Sequence, residues 1–231
     1  MLGVVNQRAL TAQRNACRGL SLVELMVGLA LGLFIVATAL FLLSEHLREN
    51  RSLLLQARLQ QDLRTTLDLM SRHLHRAGHW GTPQAAIWQA DSAAQTNPYA
   101  ALTPGNNSVM FYASRDAQEN QKIDSNETLG FRLQQGVLQM RLGDGGWQSL
   151  TDPEVMQITQ LQIQPQVFEQ PLADLCHRPC PPASNTCPPH LQVRSVQISM
   201  QASATHDVQV QRSLQTQVRL RSDAVVGACP A

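Results

Sequence analysis

Aromatic residues are scarce in this chain, at 4% of its 231 residues. Basic side chains beyond the N-terminus are scattered among acids, with no aromatics between them. The one-sided cationic, base-stacking surface that nucleic acid needs is therefore missing, and no nucleic-acid partner is expected. Nucleotide-loop glycine fingerprints, a G-x-S-x-G elbow and an H-E-x-x-H pair are also missing, so neither an enzyme nor a cofactor is expected. Asp144, within Gly143-Asp144-Gly145-Gly146, lacks the alternating acidic ligands of a calcium loop and reads as a tight turn. Residues 1–19 contain no acid, only Arg8, Arg14 and Arg18 as charges. The other 15 of the 18 basic side chains face 17 acids, a net of −2 (15 − 17). Only one uninterrupted apolar run reaches spanning length, so a single membrane crossing is expected, with the basic stub on the cytoplasmic side.

Cysteine is sparse and unevenly placed. Cys17 lies in the basic stub, and Cys176, Cys180, Cys187 and Cys229 all fall in the C-terminal third. In an exported head these four suggest two disulfides, with three pairings open. The rival is a zinc site with His177 or His190, but C-x3-C-x6-C in a proline-rich loop matches no familiar zinc spacing. No metal is expected.

The apolar run, Leu20 to Leu43, is too long for a cleaved secretory signal and has no small-residue cleavage site after it. Charged Glu45, His46, Arg48 and Glu49 follow instead. A plain membrane anchor fits its length but does not explain Glu24, because an ionised acid in hydrocarbon costs at least a few kcal/mol.

The order Arg18-Gly19-Leu20-Ser21-Leu22-Val23-Glu24-Leu25-Met26-Val27 resembles the signal of type IV pilins and type II secretion pseudopilins. The resemblance implies that a prepilin peptidase cuts between Gly19 and Leu20 and methylates the new amine of Leu20. A glycine before the cut allows close approach to the scissile backbone. Leu20 stands where that family usually has phenylalanine. Cleavage leaves a cationic amine in an apolar setting, where Glu24 of one subunit would pair with the amine of its neighbour and set the register between helices. The alternative for Glu24 is to snorkel to the headgroups. Gly28 and Gly32 form a G-x-x-x-G pair, which suits close helix packing in an apolar medium, or merely softens the helix.

From Ser44 to Ala77 the chain has no proline or glycine. Leu47, Leu55, Leu59, Leu63, Leu67, Met70 and Leu74 recur at helical spacing, which predicts one continuous helix over Leu20–Ala77. Arg72, His73, His75 and Arg76 suit its C-terminus, and Gly78 a terminating left-handed position. His75 and His79 straddle that stop, so they read as capping and solvated charge rather than as metal ligands. "RTTLDLMSRHLHRAGHWG", residues 64–81, is similar to PilW-type minor pilins, with His79 where that group often has tyrosine.

Residues 82–108 read as a long irregular connection. Period-two patterns then predict strands at Val109–Ala113, at Phe131–Leu142 with a turn at Gln134-Gln135-Gly136, and around Ile158, Leu161 and Ile163. A proline- and cysteine-rich loop spans 171–190. Further strands are expected around Val196, Ile198 and Met200, and around Val208, Val210, Leu214, Val218 and Leu220. Glutamine abounds on the presumed outer face, giving it hydrogen-bonding capacity without charge.

The expected fold is α+β, a long N-terminal helix packed on an antiparallel β-sheet, as the pilin resemblance also implies. The expected divisions are a leader at 1–19, a membrane and filament-core helix at 20–43, its amphipathic continuation at 44–78, and a periplasmic β-rich head with a Cys loop at 79–231. By resemblance the chain is a minor type IV pilin that primes or caps pilus assembly from the inner membrane or pilus tip. Its partners would be prepilin peptidase, other minor pilins and the major pilin. Two alternatives remain open: a PulJ-type minor pseudopilin of a type II secretion system, and a membrane-anchored periplasmic binding module.

Overall fold

A computed structural model describes residues 19, 21–86, 95–182 and 186–230. One helix, α1, covers Leu22–His75, and the chain divides into two units at Asn50/Arg51. From Leu22 onward the first unit is helix. Its apolar side chains are exposed all round, as in Leu25, Phe34 and Phe41. The hydroxyls in this stretch are satisfied within the helix: Thr38 Oγ1 donates to the Ile35 carbonyl at 2.8 Å and Ser44 Oγ to that of Phe41 at 2.7 Å. Such back-bonding lets a polar side chain sit in an apolar medium without an orphaned donor.

The second unit begins with the remaining turns of α1. Leu59, Leu63, Leu67, Met70 and Leu74 are buried in its core, each contributing about 1.5–3 kcal/mol by leaving water. Leu47 does not join them. It is 61% exposed, so the stripe expected from Leu47 starts instead near Leu55, where Arg212 on the sheet hydrogen-bonds Gln56. The helix stops where expected. Gly78 has φ +75°, and its N–H donates to the Tyr112 carbonyl at 2.8 Å.

The strands are β1 Leu102–Gly105, β2 Ser108–Tyr112, β3 Thr128–Gln134, β4 Val137–Leu142, β5 Gln148–Ser149, β6 Met156–Pro171, β7 His190–Ala204, β8 Asp207–Arg219 and β9 Ala224–Val226. They form two antiparallel sheets rather than one, a five-stranded β1-β2-β3-β4-β5 meander and a four-stranded sheet in which β7 pairs with β6, β8 and β9. Phe111, Phe131 and Leu138 from the first sheet and Leu161, Ile198 and Met200 from the second close on the helix stripe.

Several elements depart from the sequence reading. The connection expected at 82–108 contains β1, an edge strand that tolerates Pro104 because one side of its backbone has no ladder partner. β6 and β7 run much further than their apolar alternation. From Gln164 to Pro171 every β6 residue is exposed, including Phe168 at 64%. Val208, read as inward-facing, is 62% exposed, since the register shifts between Ser203 and Ala204.

Candidate functional site

The motif residues lie at the start of α1. Gly19 is non-helical and exposed, and a Cβ placed on it would meet nothing within 4 Å. Leu20 lies outside the described residues. The Leu25 N–H donates to the Ser21 carbonyl at 3.0 Å, so the first turn closes on Ser21. Glu24 falls in that turn, at the positive end of the helix dipole, where a carboxylate is favoured. Among the described residues no salt bridge involves Glu24. Gly28 and Gly32 follow one turn apart, and each would accept a Cβ into open space. Together they leave a shallow notch on one face of a helix whose other faces carry Leu, Val, Ile and Phe.

The arrangement places an exposed, non-helical glycine just before a helix start, with an acid in the first turn. Gly19 and Glu24 both lie at this end of α1, and the glycine pair follows further along the helix.

In the second unit, Arg194, which the sequence reading did not single out, ties the segment before β1 to the segment after β8, close to Gly78. Its guanidinium donates to the Ala100 carbonyl at 2.5 Å and to the Ser222 carbonyl at 3.0 and 3.2 Å. Burial lowers its pKa below the ordinary arginine value, against the opposing field of Asp223. Asn97 completes the tie: Nδ2 donates to the Gly78 carbonyl at 2.8 Å and to Ser222 Oγ at 3.0 Å. A signal for Arg194 was present, because it shares the inward parity of Val196, Ile198 and Met200. The histidines do not converge. His75 Nδ1 lies 2.7 Å from the Arg219 carbonyl, and His73 packs edge-on to Phe131, its pKa lowered by burial and then by Arg76 and Arg72.

A second polar cluster orders the loop between β2 and β3. Tyr99 is fully buried, with its hydroxyl 2.9 Å from both Glu119 Oε1 and the Lys122 carbonyl. Burial raises the Tyr99 pKa. Burial also pushes Glu119 upward, but the Gly81 and Gln121 N–H groups and the Ser114 and Tyr99 hydroxyls outweigh it and hold Glu119 below its usual range. Asp116, Asp124 and Glu127 approach one another nearby. Their oxygens are used by the loop itself: Glu127 accepts from the Arg115 and Asp124 N–H groups, and Asn120 donates to both aspartates.

The four distal cysteines form two disulfides. Cys176 joins Cys229, with Cα atoms 5.2 Å apart, and Cys180 joins Cys187 at 5.5 Å. The first ties the chain after β9 to the segment after β6, and the second closes a small loop.

Two family models match the chain. One, described as prepilin peptidase-dependent protein B, covers residues 52–220, and the other, the prokaryotic N-terminal methylation motif, covers residues 14–40. No curated protein and no solved structure matches it.

Proposed function

The chain belongs to the prepilin peptidase-dependent protein B family, and from this we infer that it is a minor type IV pilin, cut at Gly19–Leu20 and N-methylated on Leu20. The leader is residues 1–19. Residues 20–43 hold the processed protein in the inner membrane and later enter the filament core, 44–78 continue the helix, and 79–231 form the periplasmic head. With other minor pilins and the major pilin it primes or caps pilus assembly. Its work is structural rather than catalytic.

The observation that carries this reading is the methylation motif at 14–40, which runs into a helix whose first part, Leu22 to Leu43, has its apolar side chains unburied on every side. A helix apolar all round needs lipid or other helices as its solvent. In the filament, Glu24 pairs with the Leu20 amine of an adjacent subunit, and the Gly28/Gly32 notch admits a neighbouring helix at close range. The same motif serves a minor pseudopilin of a type II secretion system equally well, and loss of piliation against loss of secretion in a deletion strain separates the two.

Mass spectrometry of the membrane-purified protein tests the processing step. The expected mature N-terminus is N-methylated Leu20. An intact Met1, or a start beyond Leu43, would contradict it.

A further inference from the structure

The middle of the outer face of the β6–β7–β8 sheet is built of glutamine and serine. In register across the three strands stand Gln164–Gln197–Gln217 and Gln162–Ser199–Gln215. The next row, Gln160–Gln201–Ser213, has the same composition. No ionisable side chain occurs in these three rows. Solvated sheet faces are ordinarily stabilised by opposite-charge pairs across strands. The charge nearest to these rows on the same face is Arg219, opposite Ser195 in the adjoining row and paired with Asp223 at 2.6 Å.

The amides are not used uniformly. Towards one end Gln166 Nε2 donates to Gln197 Oε1 at 2.8 Å, and Gln217 Nε2 donates to Gln166 Oε1 at 3.1 Å. Towards the other, Gln201 Nε2 donates to Gln211 Oε1 at 3.3 Å. Between them lies a shallow trough of about 260 Å³, lined by Gln160, Gln162, Ser199, Gln201, Ser213 and Gln215. Among the described residues, the amides of Gln160, Gln162 and Gln215 make no protein hydrogen bond. The trough is thus a place where rigid, mutually bonded rims flank open amides.

We propose that this face binds a neutral, hydroxyl-rich polysaccharide, with one sugar unit seated in the trough. A carboxamide both donates and accepts, as a sugar hydroxyl does, so vicinal hydroxyls complement paired glutamines. With no charge in the three rows, covering them strands no ion. In the three rows an anionic polymer would find no cation, and an apolar protein surface would find no large exposed apolar side chain. The trough is smaller than an ordinary small-molecule pocket, which starts near roughly 300 Å³. It suits one unit of a chain rather than a free ligand. Adjacent strands lie about 4.8 Å apart, close to the length of one pyranose ring. Successive sugars laid across the strands therefore each meet amides from the next strand.

Co-sedimentation of the full chain with insoluble cellulose and with chitin tests this, in a detergent whose headgroup is not a sugar. Retention on at least one polymer is expected, equal at low and high salt and competed by the matching soluble oligosaccharide. The double variant Gln162→Ala/Gln215→Ala should bind about tenfold more weakly, from the loss of two hydrogen-bonding amides. Its thermal melt should match the wild type, since both side chains are exposed. No retention on either polymer, retention abolished by salt, or full retention by the double variant would each overturn the proposal. So would a wild-type dimer that the double variant converts to monomer, because the face would then join copies of the chain.

Discussion

Replacing Glu24 with glutamine should leave the protein in the membrane but remove it from filaments, with incorporation falling by at least about a hundredfold. In the proposed assembly the variant leaves a methylated ammonium in the filament core without its counter-ion. Breaking a buried charge pair by removing one partner costs about 3–5 kcal/mol, and about 1.4 kcal/mol is a factor of ten. Insertion should be unimpaired or improved, because an amide is cheaper than an ionised acid near hydrocarbon. Membrane fractionation and immunoblots of sheared filaments, in cells carrying each form, give the two readouts. Aspartate at position 24 should recover part of the loss, since it keeps the charge on a shorter side chain. A simple membrane anchor would behave oppositely, with both readouts unaffected by the amide.

Removing the Cys176–Cys229 disulfide should be the most damaging change in the head. The two cysteines are 53 residues apart in sequence, against 7 for Cys180–Cys187. The chain-entropy model gives about 4 kcal/mol for the longer loop and about 2.5 kcal/mol for the shorter. For a domain of this size 4 kcal/mol corresponds to a melting shift of roughly 10–15 °C. The Cys176→Ser/Cys229→Ser variant should also free β9, a three-residue strand with only β7 as its sheet neighbour. Calorimetry of both double-serine variants checks the order. Equal shifts, or a larger shift for the short loop, would contradict it.

The helix was the most legible part of the fold in sequence, because its signals are local. A proline- and glycine-free stretch with a three-to-four apolar stripe predicts Leu20–Ala77, and the observed helix is Leu22–His75. The β3–β4 turn was equally local. Gln135 and Gly136 have φ of +52° and +77°, which suits a two-residue hairpin loop with left-handed residues at both positions. Elements set by tertiary contacts were harder to read. Ile158 and Leu161 are three apart and break a period of two, because the β6–β7 register shifts between Ile158 and Gln160 and leaves Thr159 without a partner. β1 was hidden by Pro104, which argues against a strand except at an edge, and no local pattern says which strands are edges.

Within the candidate site, the proposed roles of Gly19, Leu20 and Glu24 rest on the sequence motif, which matches the N-terminal methylation model over residues 14–40. It could not show that Arg194 and Asn97 join the segments that meet just beyond the far end of the same helix. Their partners are backbone carbonyls and a hydroxyl brought together only by folding. Arg194 was readable as an oddity, a charge on the buried side of a strand, but not as a tie between three segments. The glutamine rows were visible as composition. That their open amides share one trough depends on the register of three strands.

Zero-length carbodiimide cross-linking of assembled filaments, followed by mass spectrometry of the digested products, tests the charge pairing most directly. Activation of Glu24 should yield an amide joining it to the N-terminal amine of a neighbouring subunit, because the two groups are held in contact where water is excluded. Recovery of Glu24 and that amine unlinked, while other contacting acid–amine pairs in the same filaments cross-link, would contradict it.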